Sequence, residues 1–462
     1  MPRFFNHGLA LTILAAPVAI QNLAFAAVMF TDTVMVGHIG LVALGAVGLA
    51  HWLIAPLSGV VQGIALAMRP IVAQQCGAGQ QRDVGQWTQQ AIWLGQVVAW
   101  LCVILYWLAK PLLVLLPIDD RLTSNFVIYL DVLIWSIPAI SAYFTLRFVS
   151  HGISHTRIDV VMAAVAFLIN LFGNWCLMYG KLGFPELGLI GCAWSTTITF
   201  WALLISTVIY MQLKQSVYSQ FQLNYRVLLP AMPNCAISKE IMRLGIPISA
   251  GGMLGVGLFT IVGIISAIVG AEVSALHQIL KSINSLLAQL WKSIRAATCV
   301  MVAQSMGARD AIEARYKGNC SVLYTKIMLL VLGSAIVAMW QPLISVFSQQ
   351  GEALETLLSV WGVFVLYLFF DGLHLVSLGV VRGYKDARTP FYMNMLAYYG
   401  FALPMICVGV FTYGFGLRWI WFSLAMMMAL YSGLLFTRFW FISGHAIRRQ
   451  DADIMPGQLQ TV

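Results

Sequence analysis

Asp32 is the residue of this sequence best placed for chemistry inside an apolar environment. It lies in the run M-F-T-D-T-V-M-V-G, and no Lys or Arg lies within one helical turn on either side. A charged side chain at the centre of a bilayer costs at least about 2.5–3.5 kcal/mol. We therefore expect this carboxylate to face the interior of a helix bundle, where it can bind a proton or a cation. The alternative is an acid at a helix end with access to water.

Neutral polar side chains on two later apolar runs could complete a site around Asp32. Asn170 and Asn174 are spaced i, i+4 and therefore share one face of a helix. Thr196 lies in the next run, between two other hydroxyl residues. Their amide and hydroxyl oxygens would suit a Na⁺ site or a proton relay. The alternative is that they only join helices by hydrogen bonds.

A second carboxylate, Asp371, lies in an apolar run nearer the C-terminus, with Tyr367 one turn before it and His374 three residues after it. Three cations share roughly one face of another run: Lys281, Lys292 and Arg295. Cations at membrane depth need a water-filled cavity or acidic partners. We expect Asp371 to pair with one of them.

The elements that carry these residues are predicted to be membrane-spanning helices. The 462 residues are 60% hydrophobic and 9% charged, whereas an ordinary soluble domain carries about 25% charged residues. Apolar runs with at least the roughly 18 residues that a spanning helix needs follow one another along the chain. The sequence predicts an all-α integral membrane protein with about twelve spans: 9–36, 44–72, 88–110, 125–149, 158–180, 188–213, 240–268, 272–303, 319–342, 354–378, 390–413 and 417–443.

Charge distribution predicts the orientation of these spans. Basic residues gather in alternate loops and at both ends of the chain, so the positive-inside rule places both termini in the cytoplasm. The net charge of +9 thus reflects topology and gives no indication of nucleic-acid binding. His151 and His155 fall in a loop predicted to be cytoplasmic and solvated. The eight cysteines lie singly, and no metal-ligand cluster or cofactor motif occurs.

The chain consists of two similar halves. An offset of 230 residues matches Pro17 to Pro247 and V-A-Q-Q-C-G-A-G, from Val72, to V-A-Q-S-M-G-A-R, from Val302. Six spans in each half give both halves the same orientation, as in parallel-repeat transporters whose pathway runs between the halves. Pro17 is a candidate hinge, because proline bends a helix. The predicted divisions are an N-terminal lobe (1–213), a cytoplasmic linker (214–238), a C-terminal lobe (239–443) and a cytoplasmic tail (444–462).

Five motifs carry a family resemblance. They are P-V-A-I-Q-N, F-T-D-T-V-M-V-G-H-I-G, V-A-Q-Q-C-G-A-G, N-L-F-G-N-W and L-G-V-V-R-G-Y-K-D-A-R-T-P. Together they resemble the multidrug and toxic compound extrusion (MATE) exporters over essentially the whole chain, closest to the bacterial NorM-like branch. The resemblance implies two six-helix lobes around a central cleft and export of organic cations in exchange for Na⁺ or H⁺.

The resemblance also implies roles for individual residues. Asp32 matches the family's N-lobe carboxylate, where coupling ions or protons bind and to which the bend at Pro17 responds. Asn174, Asn170 and Thr196 match its partners. In the C-lobe, Asp371 matches a carboxylate linked to cation binding, with Tyr367 nearby. This sequence departs from the branch at Gly255, where the branch has Glu, and in the three cations Lys281, Lys292 and Arg295, which are unusual in a cleft that attracts cations.

The sequence therefore predicts a secondary antiporter of a bacterial inner membrane that exports hydrophobic or cationic compounds. Its partners would be small-molecule substrates and the lipid bilayer, with no cofactor beyond the coupling ion, no resident metal and no obligate protein partner. A rival hypothesis keeps the fold and changes the cargo to a lipid-linked saccharide or one anionic metabolite, which the three cations would suit better. A membrane-embedded enzyme is disfavoured, because no P-loop or HExxH motif occurs.

Overall fold

The chain folds into long helices joined by short turns. The computed structural model describes residues 2–114, 119–230, 232–338 and 351–454. Their helices are α1 (Pro2–Gly37), α2 (Leu41–Leu66), α3 (Met68–Gly77), α4 (Val84–Val114), α5 (Asp120–Leu133), α6 (Ser136–Gly152), α7 (Ile158–Tyr179), α8 (Leu189–Leu213), α9 (Gln215–Tyr218), α10 (Cys235–Val269), α11 (Ala271–Gly307), α12 (Ala311–Ala338), α13 (Gly351–Gly383), α14 (Arg388–Met395), α15 (Leu403–Cys407) and α16 (Leu417–Ile454).

The number of membrane-spanning helices agrees with the prediction. Within the described ranges, 11 helical stretches are long and apolar enough to cross a membrane, and the count reaches 12 if one bent pair is taken as a single span. The stretch Arg388–Thr412 contains two π-helical segments, Leu396–Ala402 and Val408–Thr412. The all-α membrane fold is confirmed, whereas the predicted end of the ninth span at residue 342 lies outside the described residues.

The bent pair is α5 and α6, which meet at an angle of 46°. Pro138 explains the break, because it has no N–H to donate to the carbonyl of Ile134 and its ring clashes with that carbonyl. Broken backbone at membrane depth needs new hydrogen-bond partners. Side chains of α8 supply them here: Thr197 donates to the carbonyl of Val132 over 3.1 Å, and Trp201 donates to that of Trp135 over 3.1 Å.

Two compact units make up the chain, and their limits differ from the predicted lobes at two helices. One unit, called the N unit, is residues 16–249; the other, the C unit, is residues 1–15 with 250–462. The first segment of α1 belongs to the C unit because His7 hydrogen-bonds to Ser321 (3.0 Å) and Thr12 to Tyr324 (2.9 Å). In α1 and α10 alike, the change of unit falls within three residues of the repeated proline, Pro17 or Pro247.

The predicted linker is structured along most of its length. It contains α9 and the 3₁₀ turns Ser219–Phe221 and Tyr225–Leu228, and α10 begins inside it at Cys235. Side chains of α4 fix it: Gln89 Nε2 and Trp93 Nε1 donate to the carbonyl of Leu229 over 2.9 and 2.7 Å. These contacts hold the linker against α4. In the tail, α16 continues to Ile454, and residues 455–462 lie outside the described ranges.

Candidate functional site

The Asp32 carboxylate lies inside the N unit, five residues before the end of α1. Its exposed fraction is 3%, so water does not solvate its charge. Asn174 Nδ2 donates to Asp32 Oδ1 over 2.6 Å, and Thr196 Oγ1 donates to Asp32 Oδ2 over 3.3 Å. Both carboxylate oxygens therefore accept from neutral donors. In the described part of the chain, no Lys, Arg or His forms an ion pair with Asp32.

Two helices bring these partners to Asp32. Asn170 and Asn174 lie on one face of α7, one turn apart, and Asn174 Nδ2 also contacts Asn170 Oδ1 at 3.3 Å. Ser195 on α8 donates to the backbone carbonyl of Asn170 over 2.9 Å, which fixes the register of α8 against α7. The structure thus brings together all four residues that the sequence suggested for this site. Their proposed role in ion coupling stays a prediction.

Two polar atoms of the cluster have no hydrogen-bond partner although they are buried, Asn174 Oδ1 and Asn170 Nδ2. A buried polar group without a partner costs about 1–3 kcal/mol, so an additional ligand would stabilise the cluster. Asn174 Oδ1, Asn170 Oδ1, Thr196 Oγ1 and the carboxylate offer oxygen ligands, which hard cations prefer. The same carboxylate can instead hold a proton. The donor set therefore fits a monovalent cation or a proton equally well.

Asp371 lies in the C unit on α13 and is 5% exposed. His374 Nδ1 lies 3.4 Å from Asp371 Oδ1. Tyr367 is fully buried one turn earlier, and its hydroxyl accepts from Asn284 Nδ2 over 3.3 Å. The expected pairing of Asp371 with a cation of α11 does not occur for Lys292, since within the described residues no ion pair of 4.0 Å or less joins the two. Among the described residues, the His374 ring comes closest to an ion-pair contact with this carboxylate, but neither His374 Nδ1 nor Asp371 Oδ2 has a hydrogen-bond partner.

The three cations of α11 are all partly buried in the C unit: Lys281, Lys292 and Arg295. The Lys281 ammonium lies 6.0 Å from the centre of the Phe259 ring on α10. At Gly255, also on α10, an added Cβ would lie 3.7 Å from the ring of Tyr398. The position where the resemblance implies Glu therefore faces an aromatic ring, and Gly255 supplies no carboxylate to balance the cations.

Sequence reasoning missed a second buried charged group in the N unit. Arg147 and Asp159 form an ion pair with 4% and 0% exposure, and His151 hydrogen-bonds to the same carboxylate over 2.9 Å. The prediction that His151 is solvated is wrong: it lies within α6 and is 1% exposed. His155 is only partly buried and contacts the hydroxyl of Tyr210 at 3.1 Å. The signal that could have revealed the group was Arg147, an arginine inside a predicted span.

Comparison with known proteins agrees with this architecture. The model of the MatE family matches residues 17–176 and 247–408, together more than half of the chain. The eukaryotic MATE transporter AtDTX14 is 21% identical, with a TM-score of 0.84 over 97% of this chain and 99% of its own. A MOP superfamily transporter from Pyrococcus furiosus is 15% identical, with a TM-score of 0.85 over 95% and 96%.

A mutant of the Vibrio cholerae MATE transporter VcmN is also similar, at 15% identity and a TM-score of 0.84 over 97% of this chain and 99% of its own. Identities this low show a shared fold, while the match to the family model covers both halves of the sequence. Closeness to the NorM-like branch stays a prediction. The chain is a multi-pass membrane protein and belongs to the MatE family of transporters.

Proposed function

We propose that the chain is a secondary antiporter that exports hydrophobic, often cationic compounds in exchange for Na⁺ or H⁺. The observation that carries this proposal is the Asp32 cluster, a buried carboxylate whose partners are neutral and include a buried oxygen without a donor. A group of this kind gains most from binding a cation or a proton, because no charged side chain in the described ranges pairs with it. Ion binding at one buried carboxylate is the step that an ion-driven exporter needs.

In the proposed cycle, an ion or proton neutralises Asp32 from the side of higher concentration. Neutralisation weakens the hydrogen bonds that the Asp32 carboxylate accepts from Asn174 and Thr196. Because these bonds hold α1, the segment of α1 between Pro17 and Asp32 then changes its position. That change favours release of the exported compound, and the compound binds again after the ion has left. No cofactor and no obligate protein partner enters this cycle. The positive-inside rule supports a bacterial inner membrane with both termini in the cytoplasm.

The test is export of a fluorescent cationic dye from proteoliposomes under an imposed Na⁺ gradient or pH gradient. We expect one gradient to drive export by the wild-type protein, and Asp32→Asn to abolish it. Asp310→Asn is the matched control, because Asp310 is exposed and caps α12 by accepting from the N–H of Glu313 over 2.8 Å, and Asn caps as well as Asp. Equal gradient-driven export by wild type and Asp32→Asn would refute the proposal.

A second candidate function is export of an anionic compound, and the cations of α11 favour it. Three basic side chains lie partly buried on one helix of the C unit, and a buried ammonium or guanidinium group is stabilised by an anion. The related transporter from Pyrococcus furiosus is described as having a binding pocket of reversed polarity, which suggests a different function for that protein. This candidate would be favoured if the wild-type protein exports an anionic dye but not the cationic dye. Export of the anionic dye should then be lost in Lys292→Gln.

A further inference from the structure

Arg147 forms the centre of a buried network in the N unit that the ion site does not use. Its guanidinium binds both oxygens of Asp159, with Nε donating to Oδ1 over 3.2 Å and Nη2 to Oδ2 over 3.0 Å. Nη2 also donates to Asn22 Oδ1 over 3.2 Å. Asn22 lies on α1, Arg147 on α6 and Asp159 on α7. Arg147 therefore connects α1 to α7.

His151 and Arg69 hold the Asp159 carboxylate from the other side. His151 Nε2 lies 2.9 Å from Asp159 Oδ2, and Arg69 Nη2 lies 3.1 Å from His151 Nδ1. Guanidinium nitrogens only donate, so Nδ1 must accept and Nε2 must carry the proton that goes to Asp159. The Arg69 guanidinium also lies 4.7 Å from the centre of the Phe148 ring. One arrangement of donors and acceptors thus fits both contacts of His151 and orients the Asp159 carboxylate that binds Arg147.

The part of α1 that contacts this network lies between Pro17 and Asp32. Gln21 Nε2 donates to the hydroxyl of Tyr143 on α6, next to the contact of Asn22 with Arg147. Phe25, one turn further, packs against the Tyr143 ring with 6.5 Å between ring centres. Asn22 and Asp32 are ten residues apart, which is about 15 Å along a helix. The segment is therefore held at two points, by Arg147 at one end and by Asn174 at the other.

Both points are connected to α7: Asn174, near the end of α7, contacts Asp32 directly, and Asp159, near its start, is connected to Asn22 through Arg147 of α6. We propose that Arg147 is a positioning residue for transport: by joining Asn22 to Asp159 it sets the position of α1 and so aligns Asp32 with Asn174 and Thr196. Loss of the Asn22 contact removes the connection between this end of the segment and Asp159 and leaves its contacts with Tyr143, so the ion site is then less often complete. This inference rests on the proposed role of Asp32 in ion coupling.

The test uses Asn22→Leu, which removes the acceptor at similar side-chain volume, and Asn22→Asp as the matched control that keeps an acceptor for Arg147. Both variants leave the residues Arg147 and Asp159 unchanged. A hydrogen bond to a charged group changes an equilibrium by roughly tenfold or more. We therefore expect Asn22→Leu to raise the coupling-ion concentration that gives half-maximal dye export by roughly tenfold, with the KM for the dye unchanged and with wild-type behaviour in Asn22→Asp.

Hydrogen–deuterium exchange of the full chain in lipid nanodiscs supplies a second readout that needs no transport. We expect faster exchange in residues 18–31 for Asn22→Leu and wild-type exchange for Asn22→Asp. Wild-type ion dependence and exchange in Asn22→Leu would overturn the inference, and so would equal defects in both variants. Absence of dye export by the wild-type protein would contradict the proposed function instead, and the exchange comparison would then still decide whether Arg147 holds α1.

Discussion

The Arg147–Asp159 ion pair gives the sharpest stability prediction. Its two side chains are almost fully buried, so screening by water does not weaken the interaction. Asp159→Leu removes two hydrogen bonds to the guanidinium and one to His151, and it leaves the positive charge of Arg147 buried. Breaking a buried pair in this way costs about 3–5 kcal/mol. Arg147→Met leaves the carboxylate partly compensated by His151 and is expected to cost about 3 kcal/mol.

The double variant Arg147→Met/Asp159→Leu removes both charges and restores an apolar contact. Only neutral partners such as Asn22 and His151 then lose a hydrogen bond, at about 1 kcal/mol each. The double variant should therefore be less destabilised than Asp159→Leu alone. The assay is reversible unfolding in mixed micelles with increasing denaturing detergent, followed by circular dichroism. A double variant destabilised by the sum of the two single effects would refute the reasoning, because independent sites add and coupled sites do not.

Three further predictions concern parts of the N unit away from this pair. Gly63→Ala should lower the melting temperature, because the added Cβ would lie 2.7 Å from Ser249 Cα. Gly59→Ala is the control and should leave the melting temperature unchanged, because no atom lies within 4 Å of its added Cβ. Equal melting temperatures of the two variants would contradict the close packing at Gly63. Asp119→Ala should destabilise the protein by about 1 kcal/mol in the detergent unfolding assay, because Asp119 accepts two backbone N–H bonds at the start of α5. An unchanged unfolding midpoint would show that this helix cap contributes nothing to stability. Burial lowers the pKa of His155 in the loop before α7, so the folded protein disfavours the charged form of this side chain. The free energy of unfolding should therefore fall as the pH drops below about 6.5. His155→Gln should show a smaller fall between pH 7 and 5.5, and a fall equal to that of the wild type would exclude His155 as its source.

The Asp32 cluster could be predicted from sequence because few carboxylate and amide side chains occur in the apolar runs of this chain. A carboxylate without a nearby cation is rare at membrane depth, and it directed attention to the two amides spaced i, i+4 and to the threonine in the following run. Helical periodicity then placed Asn170 and Asn174 on one face, as the structure has them. The elements were predictable for the same reason, since apolar length determines where helices can span a bilayer.

The Arg147 network was beyond sequence reasoning for two physical reasons. Asp159 lies in the first turn of α7, two residues after Arg157, where an acid at the membrane surface is ordinary. His151 follows an apolar run that was assigned to end at residue 149, whereas α6 continues to Gly152 and buries it. Contacts with Arg69 and Asn22 join residues 82 and 125 positions apart along the chain, and no local pattern encodes such pairs.

The residues of the Asp32 cluster and of the Arg147 network lie at positions where the two halves of the sequence differ. After the fourth span of each half the repeat aligns with an offset of 231 residues, which matches G-I-S-H-T-R, from Gly152, to G-Y-K-D-A-R, from Gly383. This offset pairs Arg147 with Leu378 and Asp159 with Pro390, so the C-terminal half has no copy of the network. With an offset of 230, Asp32 pairs with Val262. Pro17 and Pro247, by contrast, occur in both halves, and the change of unit falls beside each of them. The shared residues therefore serve the fold that both halves need, whereas the proposed ion site around Asp32 and the proposed positioning residue Arg147 have no counterpart in the C-terminal half.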